Sequence, residues 1–175
     1  MKILIHTCCA DCLLKMADSL KGESIEVVGY FYNPNIHPRA EYLARLKAAQ
    51  KIGEENKIKL VVPDWSPKEW FREIKKGGSL KNKNRCENCW KLRLGKTFEY
   101  AKKNGFEVIS STLVTSHYQN KNKIIEIGEN LEEKFGIKFL VPENVSSELK
   151  TTGFYKQNYC GCCYSLVEAW STKFC

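Results

Sequence analysis

The sequence predicts an α/β protein with a three-layer, Rossmann-like fold, a parallel sheet carrying helices on both faces. Three observations lead there. Short apolar runs alternate with helical patterns along the whole chain, which is the signature of βαβ units. A chain of 175 residues, 43% of them hydrophobic, can bury one sizeable core without staples. No low-complexity linker or internal repeat divides it, so residues 1–175 are expected to form a single domain.

Residues 2–6 (KILIH) read as the first strand. Leu13, Leu14, Ala17 and Leu20 then recur at helical spacing over 10–21, with Gly22 as the stop. Residues 25–32 (IEVVGYFY) read as a buried second strand ended by Asn33-Pro34-Asn35. His37-Pro38 opens an amphipathic helix to residue 56, with Tyr42, Leu43, Leu46, Ala49 and Ile52 on its apolar face. A third strand at 59–62 leads to a short helix at 67–75, with Ser66 as its N-cap. The alternation then repeats as helix 89–103, strand 107–111, helix 121–135, strand 138–140 and a final helix at 164–170.

Lys and Arg outnumber Asp and Glu by 28 to 20, a net charge of +8. Arg72, Lys75, Lys76, Lys81, Lys83, Arg85, Lys91, Arg93 and Lys96 concentrate that excess around the middle of the chain, where a basic surface attracts phosphates. Gly77, Gly78, Asn82 and Asn84 make 76–85 read as a loop of the kind that orders on a polyanion; a solvated lysine-rich surface is the plainer alternative. The opening residues have neither the basic start nor the cleavage site of a signal peptide, and no run approaches a membrane span. A cytoplasmic protein is the expectation.

Nine cysteines fall in groups: Cys8, Cys9 and Cys12 after the first strand, Cys86 and Cys89 near the middle, and Cys160, Cys162 and Cys163 near the end, with Cys175 alone. In a reducing cytosol such groups favour metal or redox chemistry over structural disulfides. In parallel sheets ligands gather at the carboxyl ends of strands, where helix N-termini lower thiol pKa values, and Thr7–Cys12 is such a place. A phosphate-gripping glycine loop is missing there.

A lone C-x-x-C suits zinc, a redox dithiol or an iron–sulfur cluster. His6, His37 and His117 are too scattered for a zinc finger. Adjacent cysteines chelate one small ion poorly, whereas a cubane offers separate irons, so Cys8, Cys9, Cys86 and Cys89 make a suitable cluster shell. Asp11 and Cys12, with Cys162, can hold a second iron or move a proton. Cys160 and Cys162 can cycle between dithiol and disulfide. Cys163 is expected to pack in the final helix, and Cys175 to play no chemical part. Tyr30, Tyr32 and Asn33 end a strand at the same edge, where strand aromatics are more often core. Arg39, Glu41 and Arg45 read as a solvated helix face and His37 as a turn residue, while Tyr118, Gln119 and Tyr155 are candidate substrate contacts.

Five segments taken in order, His6–Cys12, Tyr30–Pro38, Arg85–Cys89 with Arg93-Leu94, Ser111–Leu113 with Ser116 and Gln119, and Phe154–Cys162, resemble the epoxyqueuosine reductase family called QueH, over nearly the whole chain. The resemblance implies the last step of queuosine biosynthesis: cobalamin-independent reduction of the epoxide of epoxyqueuosine, in the anticodon loop of tRNA, to a cyclopentene. It implies a fold like the ATP-pyrophosphatase (HUP-like) group with a cysteine loop in place of the phosphate loop. It implies a [4Fe-4S] cluster on Cys8, Cys9, Cys86 and Cys89, a redox-active Cys160/Cys162 pair, and an electron donor such as ferredoxin or flavodoxin. An adjacent mononuclear iron on Asp11, Cys12 and Cys162 is the further expectation. The chain departs from the resemblance at Asp11, where many members carry proline. A tRNA-thiolating enzyme would need the missing ATP loop, and a zinc-holding RNA-binding module would leave clustered cysteines idle.

Overall fold

The structure is a computed structural model, and it describes residues 1–20, 25–76, 82–116, 118–142 and 159–171. Five strands, β1 (Lys2–His6), β2 (Glu26–Tyr30), β3 (Lys59–Val61), β4 (Val108–Ser111) and β5 (Lys138–Phe139), form one sheet. All pairings are parallel and the order is β3-β2-β1-β4-β5. Ile3, Leu4 and Ile5 are fully buried, as in a central strand covered on both faces, and Leu4 lies in register with Val28 on one side and Ile109 on the other.

The helices α1 (Ala10–Ser19) and α2 (Arg39–Glu55) pack together. After α3 (Pro67–Ile74), the long α4 (Asn82–Lys103) packs on β1 and β4 and against α5 (Lys121–Phe135). A single 3-10 turn, Thr112–Thr115, follows β4, and α6 (Cys163–Ser171) is the last element. The three-layer prediction is met. The chain builds outward from β1 through β2 to β3, then crosses to β4 and β5, so its switch point lies between β1 and β4. Ligand crevices form there, and there the two carboxyl ends carry Cys8 and Thr112.

Most expected elements are present, with shifts that matter for the site. The helix expected at 89–103 begins at Asn82, so Cys86 and Cys89 stand on one helix and residues 82–85 are not loop. Tertiary contact overrides the poor helix propensity of Asn-Lys-Asn, because Arg85 lies over the Tyr164 ring and pairs with Glu168 of α6 at 2.7 Å. Strand β2 stops at Tyr30, since β3 pairs only to Val61, and Tyr32 instead donates to Glu69 at 2.7 Å. Ser66 makes no side-chain cap, and Pro67 occupies the start of α3. Leu43, expected on the apolar face of α2, is 47% exposed, and the buried stripe holds Glu41 and Arg45 instead. Gly22, Gly77, Gly78, Lys81, His117, Tyr155 and Cys175 lie outside the described residues.

Candidate active site

Two groups of thiols meet the switch point. The first sits at the carboxyl end of β1. Cys9 is the N-cap of α1, its sulfur accepting from the Cys12 amide, and Cys9 and Cys12 are joined as a disulfide. Cys8 is held by Thr112, whose hydroxyl oxygen accepts from the Cys8 amide at 3.0 Å and lies 3.3 Å from its sulfur. That hydroxyl donates to the carbonyl of His6 at 3.1 Å. His6 is fully buried with both ring nitrogens engaged: Nε2 donates to the Tyr32 carbonyl and Nδ1 faces the Ser111 hydroxyl at 3.0 Å. A carbonyl can only accept, so Nε2 carries the proton and Ser111 donates to Nδ1. Burial, then the Arg93 charge, hold the His6 pKa well below its ordinary value.

The second group brings Cys86 and Cys89, one turn apart on α4, against Cys160 and Cys162 around one small cavity. The Cys160 and Cys162 sulfurs are 3.6 Å apart and both contact the Ser165 hydroxyl, at 3.0 and 3.4 Å. Cys89 and Cys162 pack beside Trp70 and Ile74, with Cys163 half-buried at the edge as expected. Hydrogen bonding from Cys162 and Ser165 pulls the Cys160 thiol down, while the same neighbour and burial push Cys162 up. Burial, then the Cys89 and Cys160 charges, push Cys86 up to about 11. Burial also raises Cys89, against Arg93 and Trp70, which draw it down. Such crowded thiols give up their protons when a metal takes the sulfur charge.

Arg93 joins the two groups. It is 2% exposed, donates to Asn33 at 2.7 Å, and Asn33 in turn donates to the Thr7 carbonyl at 2.8 Å. The basic central surface read from the sequence therefore loses Arg85 and Arg93 to the interior of the site.

A second buried arginine positions the last thiols. Arg45 Nε donates to Glu41 at 2.6 Å, and the Arg45 guanidinium reaches the carbonyls of Cys160 and Tyr159 at 3.4 and 3.5 Å. The turn they cap is anchored again by the His37 amide to the Gly161 carbonyl, 2.8 Å, and by the Tyr159 hydroxyl to the His37 carbonyl, 3.1 Å. Gly161 has φ +107°, and a Cβ there would stand 3.0 Å from the Arg45 guanidinium, so only glycine fits. The sequence reading took Glu41 and Arg45 as solvated. Their spacing with Ala49 and Ile52, one helical stripe, was the available signal.

Outside the thiols opens a cleft of about 1030 Å³, walled by α4, Tyr118, the first turn of α5 and α6, and reaching Cys86, Cys160 and Cys162. Tyr118 is exposed on its wall, while Tyr30 and Tyr32 are core, as strand aromatics usually are. Asp11 pairs with Lys15 on α1 at 3.2 Å. Among the described residues, no three His, Cys, Asp or Glu side chains stand within reach of one ion, the set of Asp11, Cys12 and Cys162 included.

The family model described as epoxyqueuosine reductase QueH matches residues 3–168. The chain belongs to the QueH family. It is 35% identical to an epoxyqueuosine reductase QueH of Thermotoga maritima, over 95% of this chain and 91% of that one. It is 35% identical to one of Haemophilus influenzae, over 96% of this chain and 73% of that one, and 33% identical to one of Dehalococcoides mccartyi, over 95% and 93%. Membership makes the chain an oxidoreductase. No helix among the described residues is long and apolar enough to cross a membrane.

A QueH protein with this site can be tested for a thiolate-held cluster. Arg93 Nε and Trp70 Nε1 are buried beside the Cys89 sulfur yet make no hydrogen bond of good geometry. Buried N–H groups without partners are costly, and a sulfur-rich anion beside them would repay that cost. Thiols set too wide for one ion suit a cluster, in which each takes a different iron. The residues fit. Cys9 joins such a set only once its bond to Cys12 is reduced, because the thiolate is the ligand.

Proposed function

We propose that the protein reduces the epoxide of epoxyqueuosine within tRNA to the cyclopentene of queuosine, using an iron–sulfur cluster and the Cys160/Cys162 pair. The observation that carries this reading is the meeting of Cys86, Cys89, Cys160 and Cys162 around one small cavity, with Cys86, Cys160 and Cys162 also lining the open cleft. The cluster, held by Cys86 and Cys89 with Cys8 and Cys9, would supply single electrons from a donor such as ferredoxin or flavodoxin.

The overall change is epoxide plus two electrons and two protons to alkene plus water. A dithiol balances it: two thiols become one disulfide, their hydrogens leave with the epoxide oxygen as water, and the carbon pair gains the double bond. Cys160, with its pKa drawn down, would attack one epoxide carbon as its C–O bond opens and Cys162 gives the oxygen a proton. The Cys162 sulfur would then take Cys160 from that carbon as disulfide while the adjacent carbon sheds the hydroxyl, which leaves as water. The cleft is wide enough for an extruded nucleotide, and its lining includes Asn122 and Lys123, the latter paired with Glu126.

Anaerobic purification, iron analysis and assay of epoxyqueuosine-containing tRNA with a strong reductant test the reading together. Conversion to queuosine, with about four irons per chain, supports it. A zinc-loaded, colourless protein that retains tRNA without converting it would replace the reading with a binding module.

A further inference from the structure

We infer that Gln119 is a catalytic residue of this site, its side-chain amide donating a hydrogen bond to the epoxide oxygen as that oxygen leaves. The inference rests on the proposed function and adds the group that receives the developing negative charge.

The orientation of the Gln119 amide is fixed by its neighbour. Trp90 Nε1 lies 2.5 Å from Gln119 Oε1. An indole N–H is a donor and nothing else, so the oxygen of Gln119 is the atom facing it and the NH₂ is turned away. Gln119 lines the same small cavity as Cys86, Cys89, Cys160 and Cys162. The side chain is half-buried, and its NH₂ has no hydrogen-bond partner among the described residues. The amide thus leaves two N–H donors and no free acceptor facing away from Trp90, beside a cavity that the thiols also line.

Trp70 Nε1 and Arg93 Nε also line that cavity without partners, but both are wholly buried, whereas the Gln119 side chain is half-buried. Arg93 Nη2 donates to Asn33 and Arg85 Nη2 to Glu168. An epoxide oxygen has lone pairs and no hydrogen, so only a donor can bind it. When the C–O bond breaks, charge collects on that oxygen before its protons arrive. A preplaced neutral donor in a water-poor pocket stabilises that charge more than it stabilises the uncharged epoxide. The balance is that of the dithiol reaction: the oxygen leaves as water with two thiol hydrogens, and Cys160 and Cys162 end as a disulfide. Trp90 is a positioning residue, acting only through the amide.

The test compares wild type, Gln119→Glu and Gln119→Met, each reconstituted anaerobically as the full chain. The probes are two anticodon stem-loop RNAs, one with epoxyqueuosine and one with queuosine, its deoxygenated counterpart. Gln119→Glu keeps an acceptor for Trp90 and loses both donors, so it separates donation from support of the indole. Single-turnover rates should fall by about 10²–10³-fold in both variants, the loss expected on removing one oxyanion donor. In binding measured without reductant, wild type should prefer the epoxide RNA by about 3- to 10-fold. Both variants should bind the two RNAs equally.

A Gln119→Glu protein with wild-type rate and preference would overturn the inference and leave the proposed function standing. A wild-type protein that converts no epoxide RNA would overturn both.

Discussion

Replacing Arg45 by Met should cost this protein about 3–5 kcal/mol of folding stability, far above the effect of removing an ordinary surface arginine. Glu41 and Arg45 have side chains 6% and 3% exposed and meet at 2.6 Å on α2. Two charges about 4 Å apart attract by about 4 kcal/mol at an effective dielectric near 20. Removing one partner loses that attraction and leaves the Glu41 carboxylate buried without its cation. The matching change, Glu41→Gln with Arg45→Met, removes both charges and should recover most of the loss, because a neutral pair carries no desolvation penalty. Urea unfolding of the two single variants and the double variant gives the coupling energy directly. The Cys160-Gly161-Cys162 turn should also loosen in Arg45→Met, read as faster alkylation of its thiols in the reduced protein. A loss below about 1 kcal/mol in Arg45→Met, the level of an exposed pair, would refute the claim that this pair is buried and clamps the turn.

Thr112→Val removes the hydroxyl shared by the Cys8 amide and the His6 carbonyl, and should lower stability by about 1–3 kcal/mol by denaturant unfolding. Gly128→Ala would press a methyl group into the Phe139 ring beneath α5, and a loss of about 1–3 kcal/mol, seen as a lower melting temperature, is expected. Acidification should weaken the fold through His6. Its folded pKa lies below the unfolded value of about 6.5, so the unfolded chain binds the proton first, and stability present above that pH falls away below it. His37 shifts in the same direction, with burial as the leading cause. Stability measured from pH 7.5 to 5 should therefore decline, and His6→Gln should flatten part of that slope.

The sheet was legible because its strands are short apolar runs between turn signals, and Ile3-Leu4-Ile5 could hardly be anything but a central strand. The cysteine groups were legible as chemistry for the same local reason: they occur together in the chain. What could not be read was the state of charged residues on helices. Arg93, Arg45 and Glu41 look like solvent-facing positions until the partners that bury them arrive from distant segments. Arg93 is explained by Asn33 and Cys89, which leave no mark on local periodicity, while Arg45 shares a helical stripe with Ala49 and Ile52 that marks it as covered without saying that the carbonyls near Gly161 cover it. The start of α4 escaped for a related reason, since its first turn is stabilised by the contacts of Arg85 with Tyr164 and Glu168 of α6 rather than by helix-forming residues. Gln119 stood in the sequence as a bare candidate, and only the indole of Trp90 gives its amide a direction.

The clasp between Arg45 and Cys160 also sets a schedule for synthesis. The two residues lie 115 positions apart, which at ~5–20 residues per second separates their appearance by roughly 6–23 s. Once α4 is made, the nascent chain holds its cysteine pair without the late turn that packs beside it. Docking of the late turn therefore comes last, and until then the thiols of α4 stand open to solvent.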